Sequence, residues 1–334
     1  MIKSFSTTGI GSMPHKDPEE ACRLIFETFD IPFWPQLPNI SFREFMIPQY
    51  SEGMPFFRID HERQIVWIEK NSSDDLERFY EVWKEESRIA ISEDYAKGLH
   101  TFIRIIKKRR FDFLKGHVTG PLTFTLGLKG IDGKPVYFDE ELREISLMLL
   151  KAKVRWQLDV LKAHAEDVIL FIDEPILSAL GSSSYLGVNN DEVLRLLKDI
   201  TATIRSEGCI SGIHCCGNAD WPLVFKSGAD IINFDAYDYI ENVALYPEEI
   251  TAFLKKGGYL AWGIVPTSEA INREDPGSIR IRFDRDIEAL SRRVPESLVL
   301  SNILLTPSCG TGSRTIKETL KVFQLIMRLK ETLA

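Results

Sequence analysis

The sequence predicts an α/β protein with the (β/α)8 architecture of a TIM barrel, in a single domain over residues 1–334. Eight short apolar segments of strand character recur along the chain, and nearly every one is followed by a segment of helical character. No linker rich in Pro, Gly or Ser and no shift in composition divides the chain. A doubly wound open sheet is the competing fold. Its usual Gly-x-Gly-x-x-Gly turn is not supported, because residues 9–11 after the first strand lack the third glycine.

The first two strands are predicted near the N-terminus. Residues 7–14 predict a short strand that breaks at a Gly/Pro turn. Asp17 followed by Pro18 predicts the start of a helix, because Asp is a common N-cap and Pro is tolerated in the first helical turn. Residues 31–38 predict the second strand, interrupted by prolines.

An insertion separates the second predicted strand from the third, at about residues 51–73. Within it, residues 56–68 predict a β-hairpin that turns at residues 60–63. A long, charged, amphipathic helical region is expected at about residues 74–109.

From residue 115 onward the predicted alternation becomes regular. The predicted strands are at residues 115–121, 168–175, 211–217, 230–235, 259–266 and 303–307. The predicted helices are at about residues 140–166, 191–205, 247–256, 284–293 and 313–333.

A metal site is predicted where the strand at 211–217 ends. Side chains two apart in a strand point the same way, so His214 and Cys216 face one side and Cys215 the other. An imidazole and a thiolate supply half of a tetrahedral zinc site, and Cys309 offers a second thiol at another strand end. The alternative is that these are buried core cysteines, which are common.

Other polar residues also lie at or near predicted strand ends. In a barrel these ends converge on one mouth, where catalytic groups sit. With thiolates in the same mouth, the carboxylates of Asp173 and Glu174 would hold a substrate ammonium, although a solvated loop start is the alternative. The full set is Ser12, His117, Asp173, Glu174, His214, Cys216, Asp235 and Cys309.

Composition excludes several classes of protein. A net charge of −8 provides no basic footprint for nucleic acid or an anionic membrane. Apolar runs are far shorter than a membrane span, and the N-terminus lacks the apolar stretch of a signal peptide. Five cysteines, an odd number, do not suggest a disulfide framework. We therefore expect a cytoplasmic protein with free thiols.

Four motifs at or near the predicted strand ends span nearly the whole chain. They are Thr8-Gly9-Ile10-Gly11-Ser12-Met13-Pro14, Ile172-Asp173-Glu174-Pro175, Ile213-His214-Cys215-Cys216 and Pro307-Ser308-Cys309-Gly310. In sequence and in order, these motifs resemble those of the C-terminal catalytic half of cobalamin-independent methionine synthase, in the barrel superfamily that also holds uroporphyrinogen decarboxylase.

The resemblance implies a zinc-dependent methyltransferase that methylates homocysteine to methionine. His214, Cys216 and Cys309 match the zinc ligands, and Asp235 stands where the family has a fourth, glutamate ligand. By the same resemblance, Ser12 and Asp173 match residues that hold the amino-acid group of homocysteine, and Glu44 is a looser match to another. Gly11 and Glu174 complete the predicted substrate-binding set.

Zinc chemistry suits this acceptor. A free thiol with a pKa near 8.5 is mostly protonated at pH 7, and coordination to Zn²⁺ deprotonates it. Two Cys thiolates and a carboxylate bring three negative charges to the dication, so a bound sulfur should remain nucleophilic. A catalytic zinc must also open a position for substrate, and Asp235 is the ligand expected to yield.

The methyl donor is expected to be methylcobalamin or a methylated corrinoid protein. The chain has no counterpart of the N-terminal half of the long enzymes and resembles their short core forms, so methyltetrahydrofolate polyglutamate is the less favoured donor. Phe56, Phe57 and Trp67 of the insertion either form a contact surface for the donor or simply pack the hairpin onto the barrel.

Two functions from other classes remain open. One is a decarboxylase-like or corrinoid-dependent methyl-transferring barrel that acts on another substrate. Basic residues lining the mouth would favour a porphyrin with several carboxylates. The other is a non-catalytic zinc-binding protein.

Overall fold

The fold was obtained as a computed structural model, which describes residues 2–71, 74–84, 87–181, 185 and 187–333. Within these residues, seven parallel strands form one curled sheet in the order β1-β9-β8-β7-β6-β5-β4, and β2 and β3 form a separate hairpin. The strands are β1 (Ser6–Thr7), β2 (Phe57–Asp60), β3 (Ile65–Ile68), β4 (Phe111–Thr119), β5 (Ala165–Asp173), β6 (Ile210–Cys215), β7 (Ile231–Phe234), β8 (Tyr259–Val265) and β9 (Ile303–Pro307).

Helices follow most strands of the sheet. Among the described residues, no helix is long and apolar enough to cross a membrane. The helices are α1 (Pro18–Thr28), α2 (Met46–Ser51), α3 (Asp74–Val82), α4 (Lys97–Ile106), α5 (Pro121–Gly127), α6 (Glu140–Lys162), α7 (Asn190–Ser206), α8 (Trp221–Phe225), α9 (Ala236–Val243), α10 (Pro247–Lys255), α11 (Pro276–Ser291), α12 (Glu296–Ser301) and α13 (Ile316–Leu333).

Two hydrophobic cores follow from the alternation of side chains along the strands. The larger one joins the helices to one face of the sheet. The smaller one collects alternate strand residues on the other face, with Phe171, Ile231 and Leu304 among its buried members. A curled parallel sheet filled on its concave face and covered by helices outside is compatible with a TIM-like barrel.

The predicted second strand, residues 31–38, is not a regular strand. Instead it makes isolated hydrogen bonds to both edges of the sheet: Ile31 N–H donates to Thr7 O in β1 (3.0 Å), and Lys115 N–H in β4 donates to Pro32 O (2.8 Å). Its prolines have no N–H to donate, so a continuous ladder cannot form. The segment therefore lies between the two edge strands without completing an eight-stranded sheet.

The predicted helical region at 74–109 is also wrong as one element, because the described residues between α3 and α4, at 83–84 and 87–96, are not helical. In that segment, Ser92 N–H donates to the Glu52 carboxylate (2.8 Å) and Ile89 N–H donates to Ala152 O (3.2 Å). Tertiary partners thus take backbone donors that a helix would have used. Residues 85 and 86 lie outside the described residues.

Most other element predictions are confirmed, with shifts at the ends. Asp17 caps α1 by accepting from the Glu19 and Glu20 N–H groups. Helix α11 begins at Pro276, earlier than expected, because Asp275 and Ser278 form a capping box there. Helix α13 begins at Ile316 rather than at residue 313.

The hairpin of the insertion is confirmed, with antiparallel pairing of β2 and β3. Residues 72 and 73, at the end of the predicted insertion, lie outside the described residues. Phe56 is buried in the larger core, whereas Phe57 and Trp67 are half-buried. Phe56 thus packs the hairpin against the protein.

Candidate metal and substrate site

Three side chains of the predicted metal site meet at the carboxyl ends of the strands. His214 is the penultimate residue of β6, Cys216 follows that strand, and Cys309 follows β9. Their potential ligand atoms all lie within 4.8 Å of one another. In a tetrahedral zinc site with these ligand types, such atoms are separated by roughly 3.4 to 3.8 Å. One nitrogen and two sulfurs are ligand types that zinc prefers, and they lie close enough together for a small adjustment to bring them to one ion.

The thiols of Cys216 and Cys309 have pKa values that are shifted in opposite directions. The hydrogen bond with Cys309, helped by His214, lowers the pKa of Cys216 to about 4. The same contact with Cys216, together with burial, raises the pKa of Cys309 well above its usual value. One thiolate, on Cys216, is therefore already favoured before any cation is added.

Asn233 is a member of the site that the sequence analysis missed. It is fully buried on β7 and its Oδ1 is hydrogen-bonded to His214 Nδ1. The signal available in the sequence was its position two residues before Asp235, which puts both side chains on the same face of an extended segment. A polar residue in an otherwise apolar strand is typical of such supporting contacts.

Asp235 lies next to the cluster but outside the group whose ligand atoms approach one another. Its Oδ1 accepts from Asp238 N–H (3.0 Å) and so caps α9. Burial raises the pKa of Asp235 to about 7, and the charge on Cys216 acts in the same direction. Coordination by Asp235 thus remains a prediction.

Asp173 ends β5 directly beside His214 in the sheet register. It is only 9% exposed, and its Oδ1 has no hydrogen-bond partner among the described residues. Burial raises the pKa of Asp173 to about 6, against the opposing effects of His214 and the buried Lys115. A buried, unpartnered carboxylate oxygen beside the thiols is positioned for a cationic group.

Ser12 contacts the loop that carries Cys309. Its Oγ accepts from Gly312 N–H (3.3 Å), and its carbonyl oxygen accepts from Thr311 N–H (2.8 Å). Gly310 must lack a side chain here, since an added Cβ would lie 2.1 Å from Ser12 Oγ. The first and last strand ends are thereby joined at the site.

Gly11 packs against the ring of His117, where an added Cβ would lie 2.7 Å from Cε1. That ring stacks on Trp34, with 3.7 Å between ring centroids. Neither ring nitrogen of His117 has a hydrogen-bond partner among the described residues. Gly11 and His117 are thus both buried and in contact, and their place at the mouth of a barrel remains a prediction.

Glu44 and Glu174 use their carboxylates inside the protein. Both oxygens of Glu44 accept backbone N–H groups, those of Leu37 (3.0 Å) and Lys97 (3.1 Å). The two carboxylate oxygens of Glu174 accept from the backbone N–H groups of Leu122 (2.9 Å) and Thr123 (2.8 Å), at the start of α5. The structure gives both residues an anchoring role, and contact with a substrate remains a prediction.

Glu174→Ala should lower the free energy of unfolding by about 2–4 kcal/mol, because it leaves two buried N–H groups unsatisfied and opens a cavity. Chemical denaturation measures this change. Glu166→Ala is the matched control on the same strand, since Glu166 is exposed and its loss should change stability by less than about 0.5 kcal/mol. Equal stability of the two variants would contradict the anchoring role.

The fold and the cluster define a class: an α/β protein with a curled parallel sheet, compatible with a TIM-like barrel, and a thiolate-rich candidate metal centre. One solved structure with a similar fold is that of the B12-independent methionine synthase from Shewanella sp. W3-18-1 in complex with selenomethionine. The match covers 99% of this chain and 98% of the Shewanella chain, with a TM-score of 0.63. The sequence identity is 15%, so this likeness shows the fold. The resemblance expected from the four motifs is confirmed at that level.

Two further solved structures are much less similar to this chain. A dihydropteroate synthase from Coxiella burnetii matches 99% of this chain and 96% of its own at 14% identity, but its TM-score is 0.31. An ochratoxinase from A. niger matches 53% of this chain and 40% of its own at 16% identity, with a TM-score of 0.27. No protein-family model and no curated protein matches the sequence.

Proposed function

We propose that this protein is a zinc-dependent methyltransferase that transfers a methyl group to the thiol of homocysteine, giving methionine. The observation that carries the proposal is the convergence of His214, Cys216 and Cys309 beside Asp173, whose buried Oδ1 has no hydrogen-bond partner in the described part of the chain. The fold shared with a methionine synthase supports it. The same proposal includes a single-domain TIM barrel in which residues 31–38 take the place of the eighth strand. It also includes a cytoplasmic location, where thiols stay reduced.

His214, Cys216 and Cys309 would hold the zinc, and Asp235 is the candidate for a fourth ligand. When bound, zinc would supply Lewis acidity that deprotonates a coordinated thiol at neutral pH. Two thiolates and a carboxylate would carry three negative charges, which favours high electron density on a neighbouring substrate sulfur.

The substrate is proposed to enter with its ammonium toward Asp173. Oδ1 of this residue is buried and has no partner among the described residues, so a charge-assisted hydrogen bond there would satisfy it. Gly11 and Ser12 would line the opposite side, since Ser12 contacts the loop after Cys309. The sulfur would thus face the thiols while the amino-acid group is held by the strand ends.

In the transfer itself, the homocysteine sulfur donates an electron pair to the methyl carbon of the donor. A carbon–sulfur bond forms as the bond between methyl and donor breaks, and its electron pair stays with the donor. His214 and Asp173 are buried, whereas Cys216 and Cys309 are only partly buried, so the thiols form the side of the site that a methyl donor could approach.

The proposed donor is methylcobalamin or a methylated corrinoid protein, and methyltetrahydrofolate polyglutamate is the alternative. The net charge of −8 argues against a broad attractive field for a polyanionic folate tail. The Shewanella protein is described as B12-independent, which for that protein favours a donor other than a corrinoid. Both donors therefore belong in the assay.

Purified zinc-loaded protein should form methionine from homocysteine and methylcobalamin. The parallel reaction contains methyltetrahydrofolate triglutamate, and methionine is measured in both. Turnover with the folate and none with any methylcorrinoid would overturn the proposed donor but retain the reaction. Zinc binding with no methylation of homocysteine by either donor would point to a barrel acting on another substrate or to a non-catalytic zinc protein.

A further inference from the structure

Asn233 connects the strand that carries His214 to two other strands. Its Nδ2 donates to Ala261 O in β8 (2.8 Å) and to Thr306 Oγ1 in β9 (2.8 Å). Its Oδ1 contacts His214 Nδ1 in β6. Asn233 is completely buried, so water does not compete for these bonds.

The chemistry of these partners allows one orientation of the amide. A backbone carbonyl can only accept, so the amide nitrogen of Asn233 must face Ala261 O. The amide oxygen is left facing His214, and this oxygen also can only accept. The proton in the His214–Asn233 contact must therefore be on His214 Nδ1.

We infer that Asn233 is a positioning residue that holds His214 with Nδ1 protonated, so that Nε2, which lies against Cys216, is the nitrogen that serves as the metal ligand. The inference rests on the proposed zinc function for its purpose, but not for the tautomer itself. A neutral imidazole has one protonated and one bare nitrogen, and only the bare one can bind a metal. The hydrogen bond of the other nitrogen sets which one is bare.

The same contact also fixes the direction of the imidazole ring. Without an acceptor at Nδ1, a neutral ring can carry its proton on Nε2. The nitrogen that faces the two cysteines then has no lone pair with which to bind a metal ion. Contacts of this kind alter metal affinity by roughly 10- to 100-fold when removed. Asn233→Leu, which keeps the approximate volume but removes the acceptor, should therefore weaken zinc binding within that range.

The tautomer can be read from ¹⁵N NMR of the metal-free protein at a pH high enough for the His214 ring to be neutral. The same spectra identify that pH, because the hydrogen bond with Cys216 raises the pKa of His214 against the opposing effect of burial. Of the six histidines, His214 is assigned by the signal lost in His214→Gln. We expect the proton on Nδ1 in the wild type and a shift toward Nε2 in Asn233→Leu. A wild-type proton on Nε2 would overturn the inference whether or not the protein is a methyltransferase.

The effect on metal binding is measured by Co²⁺ titration, with sulfur-to-cobalt absorption as the signal, and by competition with zinc. Asn233→Asp keeps an acceptor for Nδ1–H and should retain more affinity than Asn233→Leu. Thr306→Val removes a hydrogen bond of Asn233 without touching His214, and should change affinity by less than about threefold. Circular dichroism and thermal unfolding confirm that each variant is folded.

Three results would contradict the positioning role: wild-type affinity in Asn233→Leu, equal losses in the Leu and Asp variants, or no metal binding by the wild type. The last would also remove the proposed zinc function. By contrast, normal metal binding and the Nδ1 tautomer without methionine formation would refute only the methyltransferase. The two proposals can therefore fail separately.

Discussion

Cys309→Ser and Cys216→Ser should each reduce zinc from about one ion per chain to near zero in the presence of a competing chelator. Each change removes one of three clustered ligand atoms, and a serine hydroxyl is a poor replacement for a thiolate. Methyl transfer should fall to background in both variants. Metal analysis of the purified proteins measures zinc retention, and methionine formation measures the activity.

Cys215→Ser is the matched control for the metal site. Cys215 is adjacent to Cys216 but fully buried, and its Sγ donates to Gly217 O (3.5 Å) away from the cluster. A serine hydroxyl can make the same bond, so zinc content should be unchanged. If a protein with His214, Cys216 and Cys309 all replaced still retained full zinc, the metal would be bound elsewhere and the proposed site would be wrong.

Asp173→Asn should raise the KM for homocysteine while zinc content remains that of the wild type. The substitution keeps the shape of the side chain but removes the negative charge that would face the substrate ammonium. Loss of a buried charged partner costs about 2–4 kcal/mol. This corresponds to roughly 30- to 1,000-fold weaker binding. Steady-state kinetics and direct titration with homocysteine measure the change.

Asp167→Asn is the matched control for Asp173→Asn, because it makes the same chemical change on the same strand. Asp167 lies in the first half of β5, only half-buried and at the end away from the site. Its replacement should leave both KM and zinc content unchanged. If Asp173→Asn instead releases zinc, Asp173 is a ligand or a support of the metal site, and its role in substrate binding is wrong.

Local sequence rules determined much of the candidate site. The two-residue period of a strand put His214 and Cys216 on one face and Cys215 on the other, and the burial and contacts of Cys215 agree. The end of each apolar run predicted which residues would lie at carboxyl ends of strands, as Asp173 does. Both inferences succeeded because they depend only on neighbours along the chain.

The tertiary structure decided which backbone and side-chain groups find partners. Residues 31–38 have strand-like composition, but their prolines cannot complete the hydrogen-bond ladder between two edge strands. The segment between α3 and α4 is polar and periodic, yet Glu52 takes the N–H of Ser92. Hydropathy predicts neither outcome, because the first depends on the missing N–H groups of the prolines and the second on a partner from a distant part of the chain.

Contacts with distant parts of the chain also decide the different roles of the buried residues Asp173, Glu174 and Asn233. From the sequence, Asp173 and Glu174 are adjacent carboxylates at one strand end, with no basis for distinguishing them. In the folded protein, α5 supplies N–H donors to both oxygens of Glu174, whereas Oδ1 of Asp173, beside the thiols, finds no partner among the residues that the structure describes. Asn233 gains its role only because Ala261 O faces its amide nitrogen and His214 faces its amide oxygen. Residue types and strand ends were thus determined by the sequence alone, but the partner of each polar atom depends on contacts between distant strands, which only the tertiary structure brings about.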